Sequence, residues 1–258
     1  MGVLTMRVSL LGTGWLGSAL AQHYLAMGWS VMGSTTNEDP KISGLQHVPI
    51  QLSATHTAPL PSEFFNTDCL IVTLPFRRSF IDPMDYLKQC ETLSPLLDPS
   101  VIQHVIFTSS TGVYPNHGQL AKESDCIVPE MDRQRALLAV EDYFLSGPVP
   151  ATVVRLGGLY GPGREKGRFI AARKANGQAL GGNTPVNMIH LNDCVALITA
   201  IIDQKKVQTI YNGVHPDHPT KSVFYGLDLG EECLPHKRVC SQKATDELGV
   251  VFQNYATL

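Results

Sequence analysis

Short apolar runs alternate with longer amphipathic stretches through the first two thirds of this chain. Val8-Ser9-Leu10-Leu11, Trp29-Ser30-Val31-Met32-Gly33, Cys69 to Leu74, Val101 to Thr108 and Ala151 to Leu156 are dominated by apolar and β-branched residues, which predicts strands. Between them Ser18 to Gly28, Met84 to Leu97 and Asp132 to Leu145 read as helices, the first closed by its glycine. Strands that alternate with helices need crossover connections. The pattern therefore predicts an α/β fold with a doubly wound parallel sheet, covered on both faces, whose ligand loops lie at the carboxyl ends of the strands.

After about Gly157 the texture changes. Glycine and proline punctuate heavily, in Gly157-Gly158, Gly161-Pro162-Gly163, Gly181-Gly182 and His215-Pro216-Asp217-His218-Pro219. A helix is expected from Cys194 to Ile202, capped by Asn192 or Asp193 with His190 packed beneath it, and a short one ends at Gly249. Residues 1–258 read as a single domain, in which residues from about 157 onward supply most of a smaller substrate lobe over the sheet's ligand edge.

The connection from the first strand to the first helix is Gly12-Thr13-Gly14-Trp15-Leu16-Gly17. Strand, glycine-rich turn and helix N-terminus together make a pyrophosphate site, because the glycines admit the phosphates and the free N–H groups and helix dipole face their charge. The end of the second strand, Ser34-Thr35-Thr36-Asn37, lacks the acid that would hold ribose hydroxyls. These small polar residues, with Lys41 nearby, can accept a 2′-phosphate, so NADP is preferred over NAD and neither is excluded.

Composition narrows the classes further. A net charge of −3 gives no broad basic face for nucleic acid. The six cysteines include no CxxC and read as reduced thiols, which places the protein in the cytoplasm. No apolar stretch is long enough to span a bilayer. His215 and His218 flank prolines with too few companion ligands for a metal, so none is assigned.

Four later segments complete a pattern: Phe107-Thr108-Ser109-Ser110-Thr111-Gly112-Val113-Tyr114, the run from Val154 to Arg164, Met188-Ile189-His190-Leu191-Asn192-Asp193, and Tyr211-Asn212-Gly213. With the glycine turn, their order resembles the extended branch of the short-chain dehydrogenase/reductase superfamily, which holds nucleotide-sugar epimerases and dehydratases, over nearly the whole chain. The GxGxxG form is similar to that of atypical members. The resemblance implies an NAD(P)-binding Rossmann fold, with Thr73-Leu74-Pro75 along the cofactor and Ser110 polarising a substrate oxygen.

Active members of that branch use a Tyr-x-x-x-Lys pair as acid/base, and none of the eight tyrosines here has a lysine four residues on. Family spacing counted back from Glu141 puts Arg133 at the tyrosine place and Leu137 at the lysine place; a register two residues earlier gives Met131 and Arg135. Arginine stays protonated at physiological pH and cannot exchange a proton as a tuned phenol does. Tyr114 is the candidate substitute acid, against the alternative that it packs its ring. Arg133, Arg135 and the loop Gly163-Arg164-Glu165-Lys166-Gly167-Arg168 can hold an anionic group, or be solvated cations. The reading is an atypical oxidoreductase or epimerase acting on a small, anionic or sugar-like substrate, with a homodimer allowed as in many relatives. The alternative is a non-catalytic NADP(H)-binding sensor or partner-binding protein.

Overall fold

The computed structural model describes residues 5–36, 38–54, 59–76, 80–175 and 181–253. The elements in chain order are β1 Arg7–Leu11, α1 Trp15–Ala26, β2 Ser30–Thr35, β3 Gln46–Pro49, β4 Cys69–Val72, α2 Asp85–Glu91, β5 His104–Ser110, β6 Leu120–Ala121, α3 Asp132–Leu145 and β7 Ala151–Leu156. They continue with β8 Gly158–Tyr160, α4 Lys166–Ala175, β9 Met188–His190, α5 Leu191–Asp203, β10 Thr209–Gly213, α6 Lys221–Tyr225, β11 Arg238–Val239 and α7 Gln242–Leu248. Seven strands form one sheet in the order β3-β2-β1-β4-β5-β7-β10, every pair parallel. Strand order reverses between β1 and β4, and the crevice above that point is where doubly wound sheets take ligands.

The buried strands owe their unbroken apolar runs to the two helical layers. Along β4 and β5 successive side chains point to opposite faces: Leu70, Val72, Val105 and Phe107 enter the core under α2 and α3, while Cys69, Ile71 and Ile106 enter the core under α1 and α5. The chain after β8 does not stay outside this body, because α5 packs on α1 and β10 closes one edge of the main sheet. Two small parallel ribbons, β6–β11 and β8–β9, build the wall above the strand ends.

Some boundaries differ from the sequence pattern. The helix expected from Met84 to Leu97 is an α-helix only to Glu91, followed by a 3-10 turn at Ser94–Leu96, because Pro95 lacks an N–H and crowds the preceding turn. Helix α5 is capped by the residue expected to lie beneath it: His190 Nδ1 accepts the Asn192 N–H. Asp193, expected as a cap, is buried and accepts the Gln253 N–H instead. Among the described residues no helix is long and apolar enough to cross a membrane.

A buried ion pair ties the middle of the sheet to α3. Arg155 on β7 donates to both Glu141 oxygens at 2.7–3.1 Å, and both side chains are almost fully enclosed. Ser109 on β5 donates to the same carboxylate at 2.6 Å. The remaining arm of Arg155 donates to the Tyr114 hydroxyl at 2.8 Å, which donates in turn to Asn212 on β10 at 2.9 Å. Every charged atom of the pair thus has a partner, the condition under which a buried ion pair offsets its desolvation.

Two stability predictions follow from this packing. Glu141→Gln leaves the Arg155 charge buried and unmatched, and is expected to lower unfolding free energy by roughly 3–5 kcal/mol in a urea titration. Replacing Glu141 and Arg155 together by apolar residues of similar volume should cost less than the two single changes added. His104, buried against Thr152 Oγ1, is held by burial at a pKa of about 4, below its ordinary 6.5. The unfolded chain therefore binds the extra proton first, so this contribution is intact above pH 6.5 and is lost as pH falls toward 4. Between pH 7.5 and pH 5 the loss is about 2 kcal/mol, and His104→Gln should flatten that slope.

Candidate functional site

The glycine turn closes tightly at the carboxyl end of β1. Gly12 adopts φ +106°, and a Cβ there would stand 2.9 Å from Thr73 Oγ1. A Cβ on Gly17 would collide with the Gly12 carbonyl oxygen, so glycine lets α1 lie directly on the turn. Gly14, the N-cap of α1, faces open space, with no atom within 4 Å of its Cβ position. No side chain caps α1 and no acid occupies its first turn, so the N–H groups of Trp15, Leu16 and Gly17 open on the cleft with the positive end of the helix dipole. These features fit a pyrophosphate: donors, favourable charge and a cradle that a side chain at 14 would fill.

The cleft holds about 360 Å³ and runs from this turn past Thr73, Leu74 and Pro75 to Thr108, Ser109 and Ser110 at the end of β5. Arg133 and Leu137 on α3 form one wall, and Arg164 stands at the turn. Of the two registers read from the sequence, the one counted from Glu141 therefore faces the cleft. Met131 and Arg135 are exposed, and Arg135 pairs with Asp132. The described residues lining the cleft include no aspartate or glutamate.

The hydroxyls at the strand ends are not equivalent. Thr73 donates to the Gly12 carbonyl, Thr108 to the Val72 carbonyl at 3.1 Å and Ser109 to Glu141. Ser110 accepts the Gly112 N–H at 3.0 Å, and its own proton has no acceptor among the described residues. Arg133 lies alongside: the point where a Gly112 Cβ would stand is 3.1 Å from Ser110 Oγ and 3.6 Å from an Arg133 terminal nitrogen. The Arg133 guanidinium also lies over the Phe76 ring, 5.4 Å from its centre.

Loop 161–168 folds back across the turn. The Trp15 indole N–H donates to the Pro162 carbonyl at 2.7 Å, and the Arg164 guanidinium stacks on the Trp15 ring at 4.6 Å. The three cations of the loop separate by role. Arg168 donates to the Gly163 carbonyl, Lys166 sits over Phe224, and only Arg164 enters the cleft.

Several expected site residues stand elsewhere. Tyr114 does not line the cleft; it is buried in the Arg155 network, and burial raises its pKa above the ordinary phenol value, which removes the geometry of a substitute acid. Ser34 turns inward and accepts the Gly12 N–H at 3.1 Å, so its hydroxyl builds the turn and does not face a ribose. Thr35 donates to the Glu38 carbonyl and meets His47, and Thr36 is exposed; Asn37 lies outside the described residues. The Thr13 hydroxyl is buried beside Gly33 with no hydrogen-bond partner among the described residues.

Two residues of the cleft, and one beside it that does not line it, carried no signal in the sequence. Phe76 and Tyr86 line the cleft, and the Tyr86 hydroxyl donates to the Leu74 carbonyl at 2.7 Å. Lys237 reaches from the distant C-terminal segment to donate to the carbonyls of Thr111 and Tyr114. Burial, with the Arg133 charge adding to it, brings its amine down to about 8.

No protein-family model matches the chain. It is 34% identical to Protein YeeZ of Escherichia coli K12 over 226 residues, covering 85% of this chain and 81% of that protein. Two solved structures have the same fold over nearly their whole length. One, described as an NAD-dependent epimerase/dehydratase of Methylobacillus flagellatus, superposes with a TM-score of 0.75 at 20% identity, covering 98% of this chain and 95% of the other. The other, the Bordetella bronchiseptica enzyme WbmG in complex with NAD and UDP, gives 0.75 at 14% identity, covering 97% and 91%. The chain belongs to the family of Protein YeeZ and has the fold of these two epimerase/dehydratase-type structures.

Proposed function

We propose that this protein binds a nicotinamide dinucleotide at Gly12–Gly17 and acts as an atypical oxidoreductase or epimerase on a small molecule held at the end of β5. The observation that carries the reading is one continuous cleft joining an uncapped helix N-terminus, with Gly14 open beside it, to the unmatched Ser110 proton. Trp15, Leu16 and Gly17 hold the pyrophosphate through their backbone N–H groups, and Arg164 adds charge from above. Thr73 keeps the turn closed, and Leu74 and Pro75 border the ribose and phosphate region of the cofactor. The bound dinucleotide supplies or takes a hydride. Ser110 orients the substrate by donating its one free proton to an oxygen of that molecule. Residues 34–36 include no carboxylate to repel a 2′-phosphate, which favours NADPH over NADH.

A second reading, a dinucleotide-binding protein without catalysis, draws on a separate observation. The titratable side chains lining the cleft among the described residues are Arg133, Arg164 and Tyr86. Tyr86 is held by burial well above the ordinary phenol range, so none of the three changes protonation near neutrality. A carbonyl reduction needs a proton as well as a hydride, and these side chains offer no ready one. NADPH consumed by a carbonyl or nucleotide-sugar panel, and not by the Ser110→Ala variant, supports the enzyme. Tight binding with the cofactor unchanged by every substrate supports the second reading.

The turn generates its own test by calorimetry and unfolding. Gly14→Ala places a methyl in open space, so stability should hold while dinucleotide affinity falls by about tenfold or more. Gly17→Ala drives a methyl into the Gly12 carbonyl and should cost roughly 1–3 kcal/mol of stability as well as affinity. Equal dinucleotide affinity in wild type and Gly14→Ala would place the ligand elsewhere.

A further inference from the structure

We propose that Ser110 and Arg133 form an anion subsite that takes a carboxylate of the substrate. The proposal deepens the reading above and rests on it for the entry of a small molecule into this cleft. Four observations converge on it.

Both groups offer donors toward this place. The Ser110 oxygen already accepts from Gly112, which leaves its O–H to point at a ligand, and guanidinium has no acceptor at all. The neighbouring hydroxyls of Thr73, Thr108 and Ser109 already donate to protein atoms, so the Ser110 proton is distinct from them. The two donors also lie within 3.6 Å of one common point, the vacant Cβ position of Gly112. A side chain at 112 would intrude between them, and glycine keeps that space clear.

The electrostatics agree. In a chain of net charge −3, the charged side chains lining the cleft among the described residues are two arginines. The positive end of α1 adds to them. Lys237 lies close enough to Arg133 for that charge to help pull its amine down, so cationic charge is crowded here. An entering anion relieves that crowding. The Arg133 guanidinium lies over the Phe76 ring, and its planar fork favours a planar two-oxygen partner. A carboxylate has that shape, and a neutral sugar hydroxyl does not have the charge.

The test is calorimetric titration of the full-length protein, apo and NADPH-loaded, with a matched pair of probes. UDP-glucuronic acid and UDP-glucose differ in one carboxylate, and oxalate and inorganic phosphate serve as free anions. The expected result is UDP-glucuronic acid binding about 10- to 100-fold more tightly than UDP-glucose, the range for a charge-assisted pair. Arg133→Gln should reduce that ratio to within about twofold, Arg133→Lys should keep part of it, and NADPH affinity should stay unchanged in both. Oxalate should bind in an Arg133-dependent manner and more tightly than phosphate.

Equal binding of the two nucleotide sugars, a preference that survives Arg133→Gln, tighter binding of phosphate than of oxalate, or no Arg133-dependent binding of any anion would each overturn the subsite. NADPH bound without an Arg133-dependent anion removes the subsite and leaves the cofactor reading. An Arg133-dependent anion bound with affinity for neither NADPH nor NADH does the reverse. Circular dichroism of both variants separates lost affinity from lost folding.

Discussion

The Arg155–Glu141 pair is the constraint on which the working end of the sheet depends. Two opposite charges buried beneath the carboxyl ends of β5 and β7 are tolerable only while each of their polar atoms is matched. Ser109, Tyr114 and Asn212 supply that matching, and in doing so they fix β5, β10 and α3 relative to β7. Ser110 therefore leaves the sheet at a set place. Glu141 also fixes the phase of α3: Leu137 and Arg133 lie four and eight residues before it on the same helical face, which brings both to the cleft wall. A buried ion pair and a cleft-facing arginine are two consequences of one helix orientation.

The cleft itself is built from donors. At one end stands a helix N-terminus without cap or acid, at the other a serine proton and a guanidinium, with a second guanidinium stacked on Trp15 between turn and loop. Acceptors that border it, such as the Gly12 and Leu74 carbonyls, are already taken by Thr73 and Tyr86. A ligand that enters is thus asked for negative charge or lone pairs. Under the proposed reading this suits phosphates near the turn and an oxygen-rich group near Ser110, independent of any proton-transferring residue.

The displacement of Tyr114 shows how a sequence motif and a catalytic place can separate. The tyrosine follows the Ser109-Ser110 strand end closely, yet the 3-10 turn at Thr111–Val113 carries it past the cleft and into the core. There its hydroxyl completes the coordination of Arg155. Lys237 then seals the outside of the same turn by taking the carbonyls of Thr111 and Tyr114. The turn after Ser110 is held from within by a phenol and from without by an amine.

Much of this was legible along the chain. The strands could be read because a parallel sheet covered on both faces demands apolar residues at every position, a property of neighbours in sequence. The glycine turn could be read for the same reason, since the conformation at Gly12 and the close approach at Gly17 restrict single residues within one local segment. Even the break at Pro95 is a local backbone effect. What the sequence by itself determined is thus the fold class, the order of elements and the phosphate turn. Only the tertiary structure decided which of two α3 registers faces the cleft, that Ser34 and Tyr114 turn inward, that His190 caps α5, and that Lys237 meets Thr111 across 126 residues. Those outcomes depend on which hydrogen-bond partners long-range packing places within reach, and no periodicity along the chain encodes them.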